Sequence, residues 1–470
     1  MLNRQTLRSL ALLAVLAWIC TSPCVLAADP SASFRLPPYQ RVVLPNGLTV
    51  FLMEQHEVPM VHVCVVFPAG SAADGDRHGL AALCAESLLF GTRTWTKQQI
   101  EQDLDFLGAM CRASASEDAA EVAMSFVNTD QDKVFPILRE VVCQPRFDRK
   151  EIDKRKKQWL VDLQRQKEQP SAVIDSYFDR ALFGAHPYGN PTSGTADTIS
   201  RISARDIQAF YRAHYDPSGS AVAVVGDFNA PAMQQAITAL FADWRPKAGR
   251  ATTLEGPKVA LERSRVLLVN KEDSIETRFL IGGPGVARND PDFVEIQVIN
   301  TILGGRFTSW LNDELRIKRG LTYGARSGFR PFKAAGTFTI SSFTRTAHTQ
   351  EAVALALEVL NRLHSRGVDP NTLSSAQNYL CGQFPTRLDT AGSLAGLLTD
   401  MFVYGFDETY VNTFMPRVRA MTPERAKAVI AAHFPKDRLQ FVLIGKASAM
   451  REAAKAFGEV TEKEIKAPGF

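Results

Sequence analysis

The stretch HGLAALCAESLLFGT, His78 to Thr92, follows a Gly-Ser turn and has helical spacing. A helix that holds a tetrahedral ion needs two histidines four residues apart, because that spacing puts both rings on one face. A glutamate just before the second histidine can then hold a metal-bound water and take its proton. Those positions here read Ala82, Ala85 and Glu86. Ala82 offers no donor atom and Ala85 no base, and the single carboxylate of Glu86 does not hold zinc by itself. Cys84 points off that face, and His78 is expected to precede the helix. The plain reading of Glu86 is a partly exposed or paired helix carboxylate, with no metal and no bound cofactor in this chain.

Other chemistry-bearing residues are sparse. His186 in HPYG, His186 to Gly189, reads as part of a rigid turn capping a helix, since Pro and Gly fix backbone shape and no second ligand lies nearby. The basic run KRKKQW, Lys154 to Trp159, reads as a solvated helix face. Cys64, Cys84, Cys111, Cys143 and Cys381 are odd in number and widely spaced, and no Cys/His pair has zinc-ligand spacing. They are expected to behave as small hydrophobes rather than as a disulfide framework.

These residues sit in a chain of 470 residues, 45% hydrophobic and 22% charged, which is ordinary for a globular protein of more than one domain. The net charge of +4 is spread along the chain and argues against nucleic-acid binding. Residues 1–27 read as a secretory signal: Arg4 and Arg8 give a charged start, Leu10 to Ile19 an apolar core, and Val25-Leu26-Ala27 a small-residue cleavage site. The apolar run is short for a membrane span. An exported, soluble, periplasmic protein is expected.

The chain is internally duplicated. FYRAHYDPSGSAVAVVGDFNAPAMQQAITALFADW, Phe210 to Trp244, has an echo in VIAAHFPKDRLQFVLIGKASAMREAAKAFGEV, Val429 to Val460. Both run helix end, Ala-His-aromatic, turn, apolar strand ending in Gly, then Ala-rich helix. The long offset indicates a domain duplication and not a repeat array. The reading is an N-terminal lobe over 28–244, a Pro/Gly/Lys linker over 245–258 and a C-terminal lobe over 259–470. Pro45 to Gly47 predicts a hairpin turn, LTVFLM and VHVCVVF consecutive strands, and Ala120 to Val127 a further strand by its alternation. Glu151 to Lys167 predicts a long helix that stops before Pro170. The fold class is α+β: two homologous lobes, each a largely antiparallel sheet with helices packed on one face.

LPNGLTVFL, FPAGSAADGDRHGLAALCAESLLFGT, HPYGNPTSGTADTISRISARDIQAFYRAHYDPSGSAVAVVGDF and LGGRFTSWLNDELRIKRGLTYGARSGF, in this order, resemble the pitrilysin/insulinase family of metallopeptidases. The resemblance spans nearly all of the chain after the leader. The family's inverted motif H-x-x-E-H falls on Ala82 to Glu86, so both histidines and the catalytic glutamate are absent. The family's third zinc ligand would fall within Glu151 to Gln166. The C-terminal half of family members carries an arginine and a tyrosine seven residues apart that bind the substrate carbonyl, and LRIKRGLTYGARS supplies Arg316 and Tyr323 at that spacing. Locally, the helix should end at Gly320, with Arg316 in its last turn and Tyr323 entering the next strand, so that both point into one cleft.

Some bacterial members of the family work as pairs of half-length chains, one with H-x-x-E-H and one without it. The resemblance thus implies a non-catalytic subunit, inactive alone, that lends Arg316 and Tyr323 in trans to a zinc-bearing homologue hydrolysing peptides or unfolded proteins. Zinc is expected in that partner. The alternative is a non-enzymatic structural or peptide-binding envelope protein, since the same fold also occurs in core subunits of respiratory complexes.

Overall fold

The structure is a computed structural model and describes residues 34–246 and 254–470. The signal read at 1–27 and the centre of the linker read at 245–258 lie outside the described residues. Leu36–Phe470 packs as one unit.

Alternating apolar runs build two sheets. Strands β1 (Gln40–Val43), β2 (Thr49–Glu54), β3 (Met60–Phe67), β4 (Met110–Ala115), β5 (Ala120–Val127) and β6 (Ala221–Gly226) form a six-stranded sheet in the order β1-β2-β6-β3-β5-β4. Strands β7 (Arg265–Asn270), β8 (Glu276–Pro284), β9 (Ala325–Pro331), β10 (Gly336–Arg345), β11 (Gln440–Gly445) and β12 (Glu459–Glu464) form a second, ordered β12-β7-β11-β8-β10-β9. Without the flanking strands β1 and β12 the two orders coincide. In each sheet a late strand, β6 or β11, inserts between the first two. It runs parallel to β2 or β7 and antiparallel to β3 or β8. Most other pairings are antiparallel. The sequence echo around Val224 and Val442 marks these two inserted strands.

The apolar runs of β2 and β3 are therefore neighbours in sequence and not in the sheet. The hairpin at Pro45–Gly47 instead joins β1 to β2, with Gly47 at φ 86°.

Strand period decides which face each residue takes. Val61, Val63, Val65 and Phe67 of β3 enter the core beneath the half's own helices, with Leu83, Ile207 and Phe241. The opposite face, bearing His62 and Cys64, is covered by a helix from the other half. Ala391–Tyr404 packs on β3 and β6, burying Leu394, Leu398 and Met401. Reciprocally, Pro170–Phe183 packs on β8 and β11, and its Val173, Tyr177 and Phe178 share a core with Leu280, Val442 and Ile444. Each sheet thus has its own helices on one face and a helix of the other half on the second.

The hairpin tip between β9 and β10 closes this exchange. Phe332 stacks on Tyr188 with ring centroids 4.5 Å apart. The Tyr188 hydroxyl donates to Asp118 at 2.6 Å, and Asp118 also accepts the Lys333 backbone N–H at 2.8 Å. Arg330 pairs with Asp179, a carboxylate buried on the exchanged helix.

Candidate functional site

The helix Leu80–Ser87 is started by Asp74, whose carboxylate accepts the N–H groups of Gly79 and Ala81, each at 2.7 Å. Gly79, at φ 94°, is the N-cap, so His78 lies outside the helix; its carbonyl accepts the Thr198 hydroxyl at 2.8 Å. Ala82 and Glu86 are half-buried on one side and Ala85 is buried. The side chain facing Glu86 comes from the long helix Arg149–Lys167. Arg155 meets Glu86 through Nε at 2.6 Å and Nη2 at 3.2 Å, and reaches Asp162 through Nη1 at 3.1 Å. Its guanidinium lies 4.5 Å from the Trp159 ring centroid, and the Trp159 indole N–H donates to the Ser193 carbonyl. Residues 155, 159 and 162 share a helix face by their spacing.

A guanidinium thus lies between two carboxylates where the helix would need a metal. The site does not fit zinc: two of its three key positions carry alanine, and the remaining carboxylate is held by a fixed organic cation. Among the described residues no cluster of three His, Cys, Asp or Glu side chains could hold an ion. Sequence reading placed Arg155 on a solvated face, and the structure corrects this. Lys154 and Lys157 are exposed, but Arg155 bridges two helices and Lys156 donates to the Ser200 and Ile202 carbonyls.

Arg316 and Tyr323 line a single cleft of about 560 Å³ in the second half. The helical segment after Ser309 is α-helical over Trp310–Asn312 and widens to a π turn over Asp313–Lys318. Gly320, at φ 62°, then ends it with N–H to Arg316 carbonyl at 3.1 Å. π turns are rare and displace the side chains that follow them. The Arg316 guanidinium lies over two rings, 4.5 Å from the Tyr323 centroid and 4.8 Å from that of Phe307. Packing on rings leaves its N–H groups for an acceptor, and no carboxylate of the described chain pairs with it.

Tyr323 does not enter a strand as expected. It lies in the loop before β9, 76% exposed. That loop is pinned to β10: Ser342 donates to the Gly324 carbonyl at 2.9 Å and Thr344 to the Leu321 carbonyl at 2.7 Å. The Asn312 amide bridges the two sides, donating to the Phe307 carbonyl at 2.7 Å and accepting the Ala325 N–H at 3.3 Å. Two hydrogen-bond donors, a half-buried guanidinium and an exposed phenol, therefore line one cleft on a hydrogen-bonded frame.

Residues 49–196 match the family model described as Insulinase (Peptidase family M16), and residues 201–380 match the one described as Peptidase M16 inactive domain. The chain belongs to the insulinase family, peptidase M16. An uncharacterized zinc protease of Streptomyces coelicolor is 24% identical over 395 residues, 83% of this chain and 86% of that protein. The non-peptidase homolog YmxG of Helicobacter pylori is 23% identical over 401 residues, 84% of this chain and 91% of that one. Among solved structures, a peptidase M16 inactive domain from Pseudomonas fluorescens superposes with TM-score 0.82 at 28% identity, covering 87% of this chain and 98% of that chain. The chain is an inactive-type M16 peptidase homologue, and its two mostly antiparallel sheets with helices are the two-lobe M16 architecture.

Within this M16 chain His186 is structural. It N-caps the short turn Pro187–Gly189, its Nδ1 accepting the Tyr188 N–H, while Nε2 faces the Glu255 carbonyl at 2.9 Å. Burial pushes the thiols of Cys64 and Cys111 up to about 12, which keeps them protonated and unreactive. Among the described residues no helix is long and apolar enough to cross a membrane.

Proposed function

We propose that this chain is the non-catalytic subunit of a heteromeric zinc peptidase, exported to the periplasm by its leader. It supplies Arg316, Tyr323 and a wall of the peptide chamber to a homologue that carries H-x-x-E-H. One observation carries this reading: two donors lie side by side in one open cleft, while the metal-position helix holds a guanidinium.

The chemistry follows from the donors. When a peptide carbonyl is attacked its oxygen gains negative charge, and preorganised N–H and O–H groups at that oxygen lower the barrier. The Arg316 fork and the Tyr323 hydroxyl are suited to that role. Zinc, water and base belong to the partner, because no residue at Ala82, Ala85 or Glu86 can provide them. The name non-peptidase homolog, borne by the Helicobacter relative, supports the absence of autonomous activity. Pure scaffolding is the second reading, and it has no need for a half-buried arginine packed on two rings with no carboxylate partner among the described residues.

The test is a quenched-fluorescence peptide assay of the homologue alone, this chain alone and the mixture. Cleavage in the mixture only supports a shared site. Equal cleavage by the homologue alone overturns it.

A further inference from the structure

The cleft around Arg316 carries more positive charge than carbonyl binding needs. Arg278 of β8, Arg306, and Arg326 of β9 line it together with Arg316, and no Asp or Glu does. No carboxylate of the described chain forms an ion pair with any of the four. The acids nearest in sequence are already committed: Asp313 to Lys318 at 2.8 Å, and Glu314 to Lys318 and Arg362 at 3.0 and 2.8 Å. Like charge is felt within the cleft. Burial chiefly, with the neighbouring Arg326, holds the Arg278 guanidinium below its ordinary range.

Such crowding is unfavourable in the free protein, and the backbone around Gly304 contributes to it. Gly304 lets the π turn Thr301–Gly305 lie against β9; a Cβ there would meet the Ser327 nitrogen at 2.1 Å. That contact brings Arg306 into the cleft, where Nη1 donates to Ser375 at 3.0 Å and the buried Nε–H has no acceptor among the described residues. Aromatic rings support the arginines: Tyr379 lies 5.8 Å from Arg306 and Phe343 5.6 Å from Arg278. An arginine stacked on a ring presents its planar fork to a carboxylate.

We infer that this cleft selects an acidic stretch of extended peptide, its side-chain carboxylates seated among Arg278, Arg306 and Arg326 while the backbone passes Arg316 and Tyr323. The inference rests on the peptide-chamber reading and adds the substrate class. A peptide is favoured over a nucleic acid because the positive charge is confined to one cleft, whereas a nucleic acid is tracked by a long basic stripe. A second cavity of about 560 Å³ shares Arg278 and Phe343 with the cleft and reaches Pro170 at the start of the exchanged helix; Glu168, Asp273 and Glu276 line it beside Lys271, so the acidic side chains are seated in the arginine cleft and not along this extension.

The experiment uses this chain alone, so its outcome does not depend on whether a partner confers cleavage. Fluorescence polarization is measured for a short labelled peptide of alternating Glu and Ala, for its Gln-for-Glu counterpart, and for competition by oligothymidylate. The Glu peptide should bind about tenfold tighter than the Gln peptide, the equivalent of one or two well-formed charge pairs, and weaken with added salt. Arg326→Gln, an exposed position, should cut that preference severalfold, and Arg278→Gln with Arg326→Gln should abolish it. Equal binding of the two peptides, or a preference untouched by both variants, overturns the inference. So does competition by oligothymidylate as strong as that by the Glu peptide, which would mark a general polyanion surface.

Discussion

Arg155 and Glu86 face each other across two helices, Nε 2.6 Å and Nη2 3.2 Å from the two carboxylate oxygens. The contact is bidentate, and both side chains are about a third exposed. Removing the arginine leaves a half-buried carboxylate unpaired and uncovers Trp159. Arg155→Ala should therefore lower unfolding stability by about 1–2 kcal/mol, allowing for solvent screening of a partly exposed pair. Urea denaturation of the variant checks this, and an unchanged midpoint would mean the bridge contributes nothing.

The same pair makes a prediction about metal. Ala82→His, Ala85→Glu and Glu86→His together restore the motif but leave the Arg155 guanidinium beside it. The triple variant should bind zinc weakly, because a fixed cation next to the site repels a second one. Adding Arg155→Glu should tighten binding by at least about tenfold, as repulsion is exchanged for an oxygen donor. Competition with a chromogenic chelator reads the difference.

The loss of donors at Ala82 and Ala85 is visible in the letters, as is the duplicated helix-strand-helix around Val224 and Val442. Arg155 is not visible. Nothing in a run of four basic residues tells which one turns inward, because the choice depends on a helix some seventy positions earlier in the chain. The helix exchange is equally silent: Pro170–Phe183 and Ala391–Tyr404 look like ordinary core helices, and their apolar faces do not say which sheet they cover. Tyr323 was expected on a strand because the spacing allowed it; the hydroxyls of Ser342 and Thr344 bind the loop carbonyls and hold it just short of β9.

The exchange implies that the halves are energetically coupled. Phe332 is 2% exposed and stacked on Tyr188 from the other half. Phe332→Ala should cost about 3–5 kcal/mol, the range for large-to-small changes in a core. It should also loosen the halves, detected as earlier proteolysis within the segment between β6 and β7. A loss below about 1 kcal/mol would show that the hairpin tip is not part of a shared core.

Asp74 gives a pH signature. Burial pushes its pKa up to about 7, against the two N–H bonds that favour the charged form. The unfolded value is near 3.9. Between those values the folded state binds the extra proton, so this residue's contribution is fully present below about pH 4 and is lost as pH rises through 7. Asp74→Asn cannot titrate. The stability of wild type relative to Asp74→Asn should fall between pH 5 and pH 8, measured by thermal melts at matched ionic strength. A difference independent of pH would contradict the assignment.

The division of labour between two chains is tested most directly by the donors themselves. In the reconstituted mixture with an H-x-x-E-H homologue, Arg316→Ala and Tyr323→Phe should each reduce kcat/KM for peptide cleavage by about 100-fold, the usual loss for one oxyanion donor, while complex formation by size exclusion is unchanged. Cleavage by the mixture that is indifferent to both substitutions would contradict the account.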